Sequence, residues 1–349
     1  MPVRQEELMT SSSPRITPAD ALEDFNAERK PEVSASTFRN YQYPLRQFIS
    51  FCNDNEIEYI NDITAYDLKK FKIQRQNSGI KKKTLQNNLS SLRVFIRWCE
   101  NAGLVETHMH EKIEDPDLTR EDEVSDVSLP RDRTKEILGY LRKYEYATLR
   151  HTLFAFIWHT GTRMGTVRAI DLTDYHPRHQ YIEIHHRPET ETPLKNKKDG
   201  ERQITLLDGM CDLLDDYIDA QRHDTTDEYG REPLFTTRQG RISTTTIRKN
   251  MYGVTRPCYI GKECPHGREE TECDAYRYPK AGGCPSSVSP HPMRRSAITE
   301  HLNTGMRKEH VSERANVSVD ILDRHYDVRT DAEKRMNRLD DVQNLDDEV

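Results

Sequence analysis

The sequence predicts a mainly α-helical protein with a small antiparallel β-sheet, an α+β class in which a helical bundle precedes a larger mixed domain. Apolar residues recur at three- and four-residue steps through most of residues 17–110, and this period is typical of amphipathic helices. Residues 181–184 and 203–206 instead alternate apolar and polar side chains, a pattern that favours strands. The chain has 349 residues, which is long enough for two hydrophobic cores.

Four short helices are predicted in residues 17–110, after a polar N-terminal arm, residues 1–16, that we expect to be disordered. Thr17 and Pro18 mark the first helix, because threonine caps a helix N-terminus and proline fits its first turn. The later helices are expected at 38–52, 64–79 and 84–101. Their apolar stripes predict a compact helical bundle.

An acidic segment, residues 111–130, separates the bundle from the rest of the chain. It contains Pro116 and has no helical periodicity, so we interpret it as a linker between domains. The second domain is expected at residues 131–340, with a cysteine-rich insertion at 254–290. An acidic tail follows at 341–349.

The composition argues against a membrane-embedded protein. No apolar run approaches the ~18 residues needed to cross a bilayer, and the N-terminal residues lack the apolar stretch of a secretory signal. We therefore expect a cytoplasmic protein without a membrane partner. The net charge is −7, but Lys and Arg exceed Asp and Glu between Ser34 and His110. A local basic surface of this kind is enough to contact nucleic acid.

Three short fragments contain residues suited to phosphate chemistry. Arg163 lies in a Gly-Thr-Arg-Met-Gly fragment, and its planar guanidinium can hold two phosphate oxygens at once. His291 and Arg294 lie three residues apart after Ser-Pro, so they share one helical face near an N-terminus, where an anion is favoured. Tyr326 follows Asp-Arg-His, and its phenol needs a neighbouring cation or base to become a nucleophile. Taken singly, each has an ordinary structural explanation.

In this order, the three fragments resemble the active site of the tyrosine recombinases, the family of phage integrases and Xer-type enzymes. The resemblance implies that residues 17–110 form a core-binding, SAM-like DNA-binding domain and that the second domain is catalytic. It implies that Arg163 and Arg294 clamp the scissile phosphate and that His291 assists proton movement. Tyr326 would be the nucleophile. The acidic excess is similar to that of salt-adapted archaeal members.

The resemblance also implies a reaction and partners. The chain would cleave and rejoin double-stranded DNA at specific recombination sites through a 3′-phosphotyrosine intermediate, with no cofactor in the chemistry. It would be a monomer in free solution and a homotetramer on DNA, joined through residues 331–349, which include a predicted helix at 331–339. A type IB topoisomerase shares this chemistry, although the small helical N-terminal domain favours a recombinase. An inactive, recombinase-derived DNA-binding regulator is the other alternative.

The same resemblance implies a general-acid lysine between the two predicted strands, which flank a turn at residues 198–200. We favour Lys195, which would lie on a strand, over Lys197, which would lie nearer the turn. Such a lysine can protonate the leaving 5′-oxygen.

Two positions depart from the family pattern. Thr166 stands where a glutamate is frequent, and Val317 stands where a histidine or tryptophan is usual. Asn316 and His325 are candidates to supply the absent hydrogen-bond donor. We expect loss of this donor to slow cleavage without abolishing it, because the two arginines carry most of the charge.

Two lysine clusters in the bundle are candidate DNA contacts. A solvated polar face is the alternative explanation for such clusters, but the resemblance to a core-binding domain favours contact with phosphate. The clusters comprise Lys69, Lys70, Lys72, Lys81, Lys82 and Lys83.

Four cysteines lie in the cysteine-rich insertion, separated by five, eight and ten residues. The segment has almost no large aliphatic residues, so it cannot build a core of its own. A structural Zn²⁺ held by four thiolates would stabilise it, and four unrelated reduced thiols are the alternative. The candidate ligands are Cys258, Cys264, Cys273 and Cys284.

Overall fold

The computed structural model describes residues 14–119, 122, 127–326 and 335. The chain divides into two compact units, Met1–Ser125 and Asp126–Val349, and each unit has a hydrophobic core of its own. The prediction of a mainly α-helical fold with a small antiparallel sheet is confirmed.

The first unit is a helical bundle with short 3-10 turns. Its helices are α1 (Pro18–Glu32), α2 (Ala35–Asp54), α3 (Ala65–Asn77) and α4 (Lys82–Asn101). Thr17 caps α1, since its Oγ1 accepts a hydrogen bond from the Asp20 backbone N–H at 3.1 Å. Thr64 and Asp67 form a reciprocal capping box at the start of α3. These caps satisfy backbone donors that a helix N-terminus otherwise leaves unpaired.

Phenylalanine side chains hold the bundle together. Phe25 of α1 packs edge-on against Phe95 of α4, with ring centroids 5.4 Å apart. Phe48 of α2 packs in the same way against Phe71 of α3, at 5.3 Å. All four residues are at most 1% exposed. Because edge-to-face pairs stabilise beyond the burial of their area, the apolar stripes of the four helices meet in one core.

The chain immediately before α1 is fixed to the bundle. Arg15, which we placed in the disordered arm, pairs with Asp62 at 3.0 Å, and the carbonyl of Ile16 accepts a hydrogen bond from the backbone of Ile60 at 2.9 Å. The rest of the expected arm, residues 1–13, lies outside the described residues.

The second unit is built around one buried helix. Its helices are α5 (Arg131–Tyr144), α6 (Leu149–Thr160), α7 (Met164–Ala169), α8 (Asp208–Ala220), α9 (Thr244–Val254), α10 (Pro290–Asn303), α11 (Lys308–Ala315) and α12 (Val319–His325). Helix α6 packs against α5, α8, α9 and α10, and Phe154, Phe156 and Ile157 on it are fully buried. In the described part of the chain, no helix has both the length and the apolar character needed to cross a membrane.

The strands form two small antiparallel sheets. Strands β1 (Tyr175–His176), β2 (Tyr181–Ile184) and β3 (Arg202–Thr205) form the larger sheet in that order, and β4 (Thr236–Thr237) pairs with β5 (Gly240–Arg241). The β2–β3 register places Tyr181 opposite Thr205 and Ile184 opposite Arg202. Both predicted strands are therefore present, the second one residue earlier than expected.

The connection from β2 to β3, residues 185–201, is longer than a tight hairpin. A turn does lie at 198–200, as part of a 3-10 helix, but Lys195 lies in a turn as well, so our placement of this lysine on a strand was wrong. The strand pairing ends early because the backbone N–H of His186 donates to the side chain of Glu201 at 2.8 Å. A side chain thus replaces the carbonyl that a continuing ladder would need.

Candidate active site

Arg163 lies in a sharp turn that follows α6. The helix ends at Gly161, whose φ of 63° is left-handed, and a Cβ at this position would come within 3.3 Å of Ile298. Glycine is therefore favoured both by the backbone angle and by the close packing. The buried hydroxyls of Thr160 and Thr162 hydrogen-bond to each other at 2.9 Å, so the turn before Arg163 is held by side chains as well as by the backbone.

Arg294 joins three elements of the second unit from within α10. The residue is 2% exposed. Its guanidinium donates to the carbonyl of Gly161 and, at 2.9 Å, to the carbonyl of Ala315. These carbonyls lie at the C-terminal ends of α6 and α11, where a positive charge is favourable. Arg294 therefore ties the ends of two helices to a third.

Tyr326 directly follows α12 and lies beside Arg294. It is 6% exposed and packs in a small core with Leu322, while the Thr299 hydroxyl donates to its carbonyl at 3.3 Å. The phenol lies close enough to Arg294 and Arg163 to raise the pKa of both, against the effect of burial. The structure thus brings together the two arginines and the tyrosine that the sequence singled out.

Burial is the main influence on the two arginines. It lowers the pKa of Arg294 to about 9, an effect that the charge of Arg163 increases and Tyr326 opposes. Burial also lowers the pKa of Arg163, again with an opposing contribution from Tyr326. Both guanidinium groups stay protonated at neutral pH. Their desolvation is unfavourable, and a bound anion would offset it.

His291 reaches solvent at the start of α10. Partial removal of water by its surroundings lowers the pKa of the imidazole below its usual value. Four positive charges lower this pKa further, those of Arg294, Arg295, Lys195 and Arg163. The imidazole is therefore neutral at pH 7 and can accept a proton.

Among the described lysines of the β2–β3 connection, Lys195 is the one whose charge acts on His291. Lys195 is exposed and lies in a turn. Lys197 and Lys198 are also exposed and begin the 3-10 helix Lys197–Gly200. The effect of its charge on His291 agrees with the choice of Lys195 over Lys197.

Asn316 links Arg163 to the β2–β3 connection. The Arg163 Nη1 donates to the backbone carbonyl of Asn316 at 3.0 Å and lies 3.4 Å from its Oδ1. The Nδ2 of Asn316 donates to the carbonyl of Asp199 at 2.8 Å, and its Oδ1 accepts from Asn196. Its φ of 51° is left-handed, a conformation that asparagine adopts more readily than most residues. The side chain of the other auxiliary candidate, His325, lies outside the described residues.

Two further half-buried arginines, Arg202 and Arg314, were missed in the sequence. Arg202 donates from Nε to the backbone carbonyl of Arg314 at 2.9 Å, and Arg314 donates to the carbonyl of His159 at 3.0 Å. Burial lowers the pKa of both residues. For Arg202 the value falls to about 10, with a contribution from the charge of Arg163.

These residues form an arginine cluster, which comprises Arg163, Arg202, Arg294 and Arg314. Within the described ranges, none of the four pairs with a carboxylate, and their hydrogen-bond acceptors are backbone carbonyl oxygens and the amide oxygen of Asn316. Other arginines of the same unit do pair with buried acids. Asp171 accepts from Arg231 and Arg241 at 2.7 and 2.6 Å, and Asp174 accepts from Arg187 at 2.6 Å. The unpaired cluster therefore favours an anionic ligand.

The six lysines of the first unit lie on α3 and around the start of α4. Lys69 and Lys81 are exposed, and Lys83 donates to Gln86 at 2.7 Å. Lys70 pairs with Asp67 on its own helix at 2.9 Å.

The two remaining lysines contact the acidic segment that we interpreted as a linker. Lys72 reaches the carbonyl of Asp115 at 3.5 Å, and Lys82 pairs with Asp122 at 3.1 Å. Arg93 also pairs with Asp115, at 2.9 Å. In its described part, the acidic segment therefore contacts one lysine of each cluster.

The four cysteines of the insertion line one small cavity of about 20 Å³. All four are free, partly exposed thiols. In the residues that the structure describes, no three His, Cys, Asp or Glu side chains already have the arrangement of a metal site. The fold brings the four candidate ligands to one cavity, but the described side chains do not have the closed coordination geometry of a bound ion.

The predicted C-terminal helix at 331–339 and the acidic tail at 341–349 lie, apart from Arg335, outside the described residues. Tetramer assembly through this segment stays a prediction.

Comparison with known proteins agrees with this architecture. Residues 24–103 match the family model of the phage integrase N-terminal SAM-like domain. The chain is similar in structure to the Tn1549 transposon integrase in complex with a circular intermediate DNA, with 15% identity, a TM-score of 0.65, and coverage of 93% of this chain and 100% of that one. It is also similar to a lambda integrase dimer bound to a COC′ core site, with 14% identity, a TM-score of 0.61, and coverage of 97% and 82%.

At these identities the structural likeness establishes the fold, which is that of the integrases. The N-terminal match identifies residues 24–103 as a SAM-like domain of the phage-integrase type. This domain and the fold both agree with the expected family.

Proposed function

We propose that this chain is a site-specific recombinase that cleaves a DNA strand with Tyr326 and rejoins it to a partner strand through a 3′-phosphotyrosine. The observation that carries the proposal is the arginine cluster beside the phenol, in which Arg294 is buried, the other three are half-buried, and none has a described carboxylate partner. A phosphodiester has one negative charge and two non-bridging oxygens, a geometry that guanidinium forks satisfy. The cluster is therefore suited to a DNA phosphate.

Arg163 and Arg294 would hold the scissile phosphate. A guanidinium has five N–H donors, and the described contacts of each residue with backbone carbonyls use only part of them. These contacts orient the groups before DNA binds, so the remaining donors need little reorganisation as charge develops on the phosphorane. Such preorganised donors are a main source of rate enhancement.

Three further side chains would carry out the nucleophilic attack and the proton transfers. The Oη of Tyr326 attacks phosphorus, so an O–P bond forms while the bond from phosphorus to the 5′-oxygen breaks. The phenolic proton passes to neutral His291, and Lys195 donates a proton to the departing 5′-oxygen. Attack by the 5′-hydroxyl of the partner strand on the phosphotyrosine reverses these steps and rejoins the DNA.

The burial of Tyr326 has a consequence for this reaction. At 6% exposure, its phenol can reach a phosphate only if the turn after α12 shifts when DNA binds. An active enzyme would therefore expose Tyr326 on its site, whereas a DNA-binding regulator without activity would leave it buried.

The test is trapping of a covalent adduct on DNA with a nick beside the cleavage site. The DNA that flanks the gene supplies the substrate, because integrase genes commonly adjoin their attachment sites. The short fragment released by cleavage diffuses away, so the phosphotyrosine accumulates. Wild-type protein is expected to give an adduct, and Tyr326→Phe none, with unchanged DNA affinity. Tyr278→Phe is the matched control and should react normally.

Each other outcome counts against the proposal. An adduct in Tyr326→Phe would assign the nucleophile to another residue. DNA binding by wild-type protein without any adduct would support the inactive regulator. Relaxation of supercoiled DNA without strand exchange between two sites would indicate a type IB topoisomerase.

A further inference from the structure

The cysteine-rich insertion has very little apolar material to hold it. Between residues 257 and 288, the described buried side chains are Ala275, Ala281 and Val288. The rest of this stretch consists of turns and three short 3-10 helices, Pro257–Ile260, Asp274–Tyr276 and Tyr278–Gly283. Tyr259 and Ile260 at its start also pack, partly buried, against the core of the second unit. Together with two alanines and a valine they bury too little area to offset the conformational entropy of some thirty ordered residues. Another source of stability is needed.

Hydrogen bonds close the base of the insertion. The Thr255 hydroxyl accepts from the backbone of Val288 at 2.8 Å, and Arg133 donates to the carbonyls of Thr255 and, at 2.7 Å, Ser286. These contacts join the end of α9 to the start of α10. All four cysteines lie in the part of the chain between Thr255 and Ser286 that this base closes.

The cysteines converge in that part of the chain. Four thiols separated by up to ten residues along the chain line a single cavity of about 20 Å³, which is the size of one water molecule or ion. Arg256, at the edge of this cavity, donates to the carbonyls of Ala275 and Tyr276, the latter at 2.6 Å. It thereby brings the stretch between Cys273 and Cys284 back towards Cys258.

We propose that Cys258, Cys264, Cys273 and Cys284 bind one structural zinc ion. Zinc–sulfur bonds of ~2.3 Å would draw the four side chains into the cavity as a closed tetrahedral site. The ion would replace the hydrophobic core that the insertion lacks. His266 is left out of the ligand set because its Nε2 is hydrogen-bonded to the Ser286 hydroxyl at 2.8 Å.

The position of the site limits what loss of zinc would do. The closed base at Thr255 and Val288 lies three residues before His291, so it can support α10 without the metal. Release of zinc is therefore expected to loosen residues 258–287 while the rest of the second unit stays folded. The metal takes no part in the proposed DNA chemistry.

The first experiment is elemental analysis of full-length protein purified without added metal, where about one zinc per chain is expected. Cys→Ala at each of the four positions should remove zinc. Cys211→Ala, which changes a buried cysteine on α8, should retain it. Zinc far below one equivalent in folded wild-type protein would overturn the proposal, as would full zinc in the four variants.

Cobalt substitution and proteolysis test the ligand set and the structural role. The cobalt form should show the intense absorption of tetrahedral thiolate coordination, and chelation should open protease sites within 258–287 first. Loss of metal in His266→Ala, with retention in one of the four cysteine variants, would overturn the four-thiolate assignment. Unchanged proteolysis after complete removal of zinc would overturn the structural role.

Discussion

Arg163 donates a hydrogen bond to the backbone carbonyl of Asn316 at 3.0 Å, and the side chain of Asn316 reaches the carbonyl of Asp199 in the β2–β3 connection. Asn316 is next to Val317, which stands where the family has a histidine or tryptophan. It therefore holds an active-site arginine and the connection that carries Lys195 together. We infer that Asn316 is a positioning residue for both.

Asn316→Ala should slow adduct formation at saturating DNA by about 10- to 100-fold, because a hydrogen bond to a charged group contributes ~1.5–3 kcal/mol. DNA affinity should change little. Asn316→Gly is the control for backbone strain, since glycine accepts the left-handed conformation but lacks the amide. The single-turnover rate is the measurement. A wild-type rate in both variants would show that the amide has no positioning role.

Arg163→Lys and Arg294→Lys should each lower the cleavage rate by about 100- to 1000-fold, the range seen when one preorganised oxyanion donor is lost. A lysine keeps the charge but not the planar fork. The exposed Arg178→Lys is the matched control and should cleave normally. Near-normal single-turnover cleavage by either active-site variant would show that the substituted arginine does not hold the scissile phosphate.

Lys195→Ala should be rescued by a substrate in which sulfur replaces the bridging 5′-oxygen. A thiolate leaves without protonation, so the general acid becomes unnecessary. Lys197→Ala is the comparison and should cleave the ordinary substrate with little loss. Rescue of Lys197→Ala, with no rescue of Lys195→Ala, would transfer the general-acid role to Lys197.

Acid should destabilise the second unit between pH 6.5 and 4. Burial lowers the pKa of His159 and of His301 to about 4, and the charge of Arg314 contributes to both. Each histidine then binds fewer protons when folded, so its stabilisation is complete above the unfolded pKa of ~6.5 and is lost as pH falls towards 4. The loss would be on the order of 3 kcal/mol for each residue.

Urea unfolding at pH 7 and pH 4.5 measures this effect. A His159→Asn, His301→Asn double variant should lose less stability on acidification than wild-type protein, whereas the exposed His179→Asn should behave like wild type. Equal stability of wild-type protein at the two pH values would contradict the prediction.

The acidic segment should weaken DNA binding by the first unit. Asp115→Asn and Asp122→Asn remove the charges that face Arg93 and Lys82, so DNA affinity should rise at low salt. Lys69→Ala and Lys81→Ala should each lose one phosphate contact. The slope of log binding constant against log salt concentration should then become shallower by about one in each variant. Affinity measured across a salt series tests both, and unchanged slopes in the lysine variants would exclude these residues from the interface.

Much of the architecture follows from local pattern. The apolar period of α1–α4, the caps at Thr17 and Thr64, and the alternation in β2 and β3 are short-range signals, and each element is present with its ends within a few residues of the prediction. The three active-site fragments were also recognisable, because glycine, proline and the ionic residues keep short, fixed spacings within each one. Arg202 could have been recognised from the sequence, because the alternation in β3 places it on the same face as buried Ile204.

Only the tertiary structure decided which side chains meet. The contact of Arg163 with Asn316, and the joining of Arg294 to Gly161 and Ala315, link residues far apart in sequence. No local propensity encodes such contacts, because they depend on how α6, α10 and α11 pack. The length of the β2–β3 connection was likewise set by a side chain, that of Glu201, which occupies the N–H of His186 and ends the strand pairing. Sequence spacing determines which residues can share a helix face, whereas burial and packing determine which charges are left for a ligand.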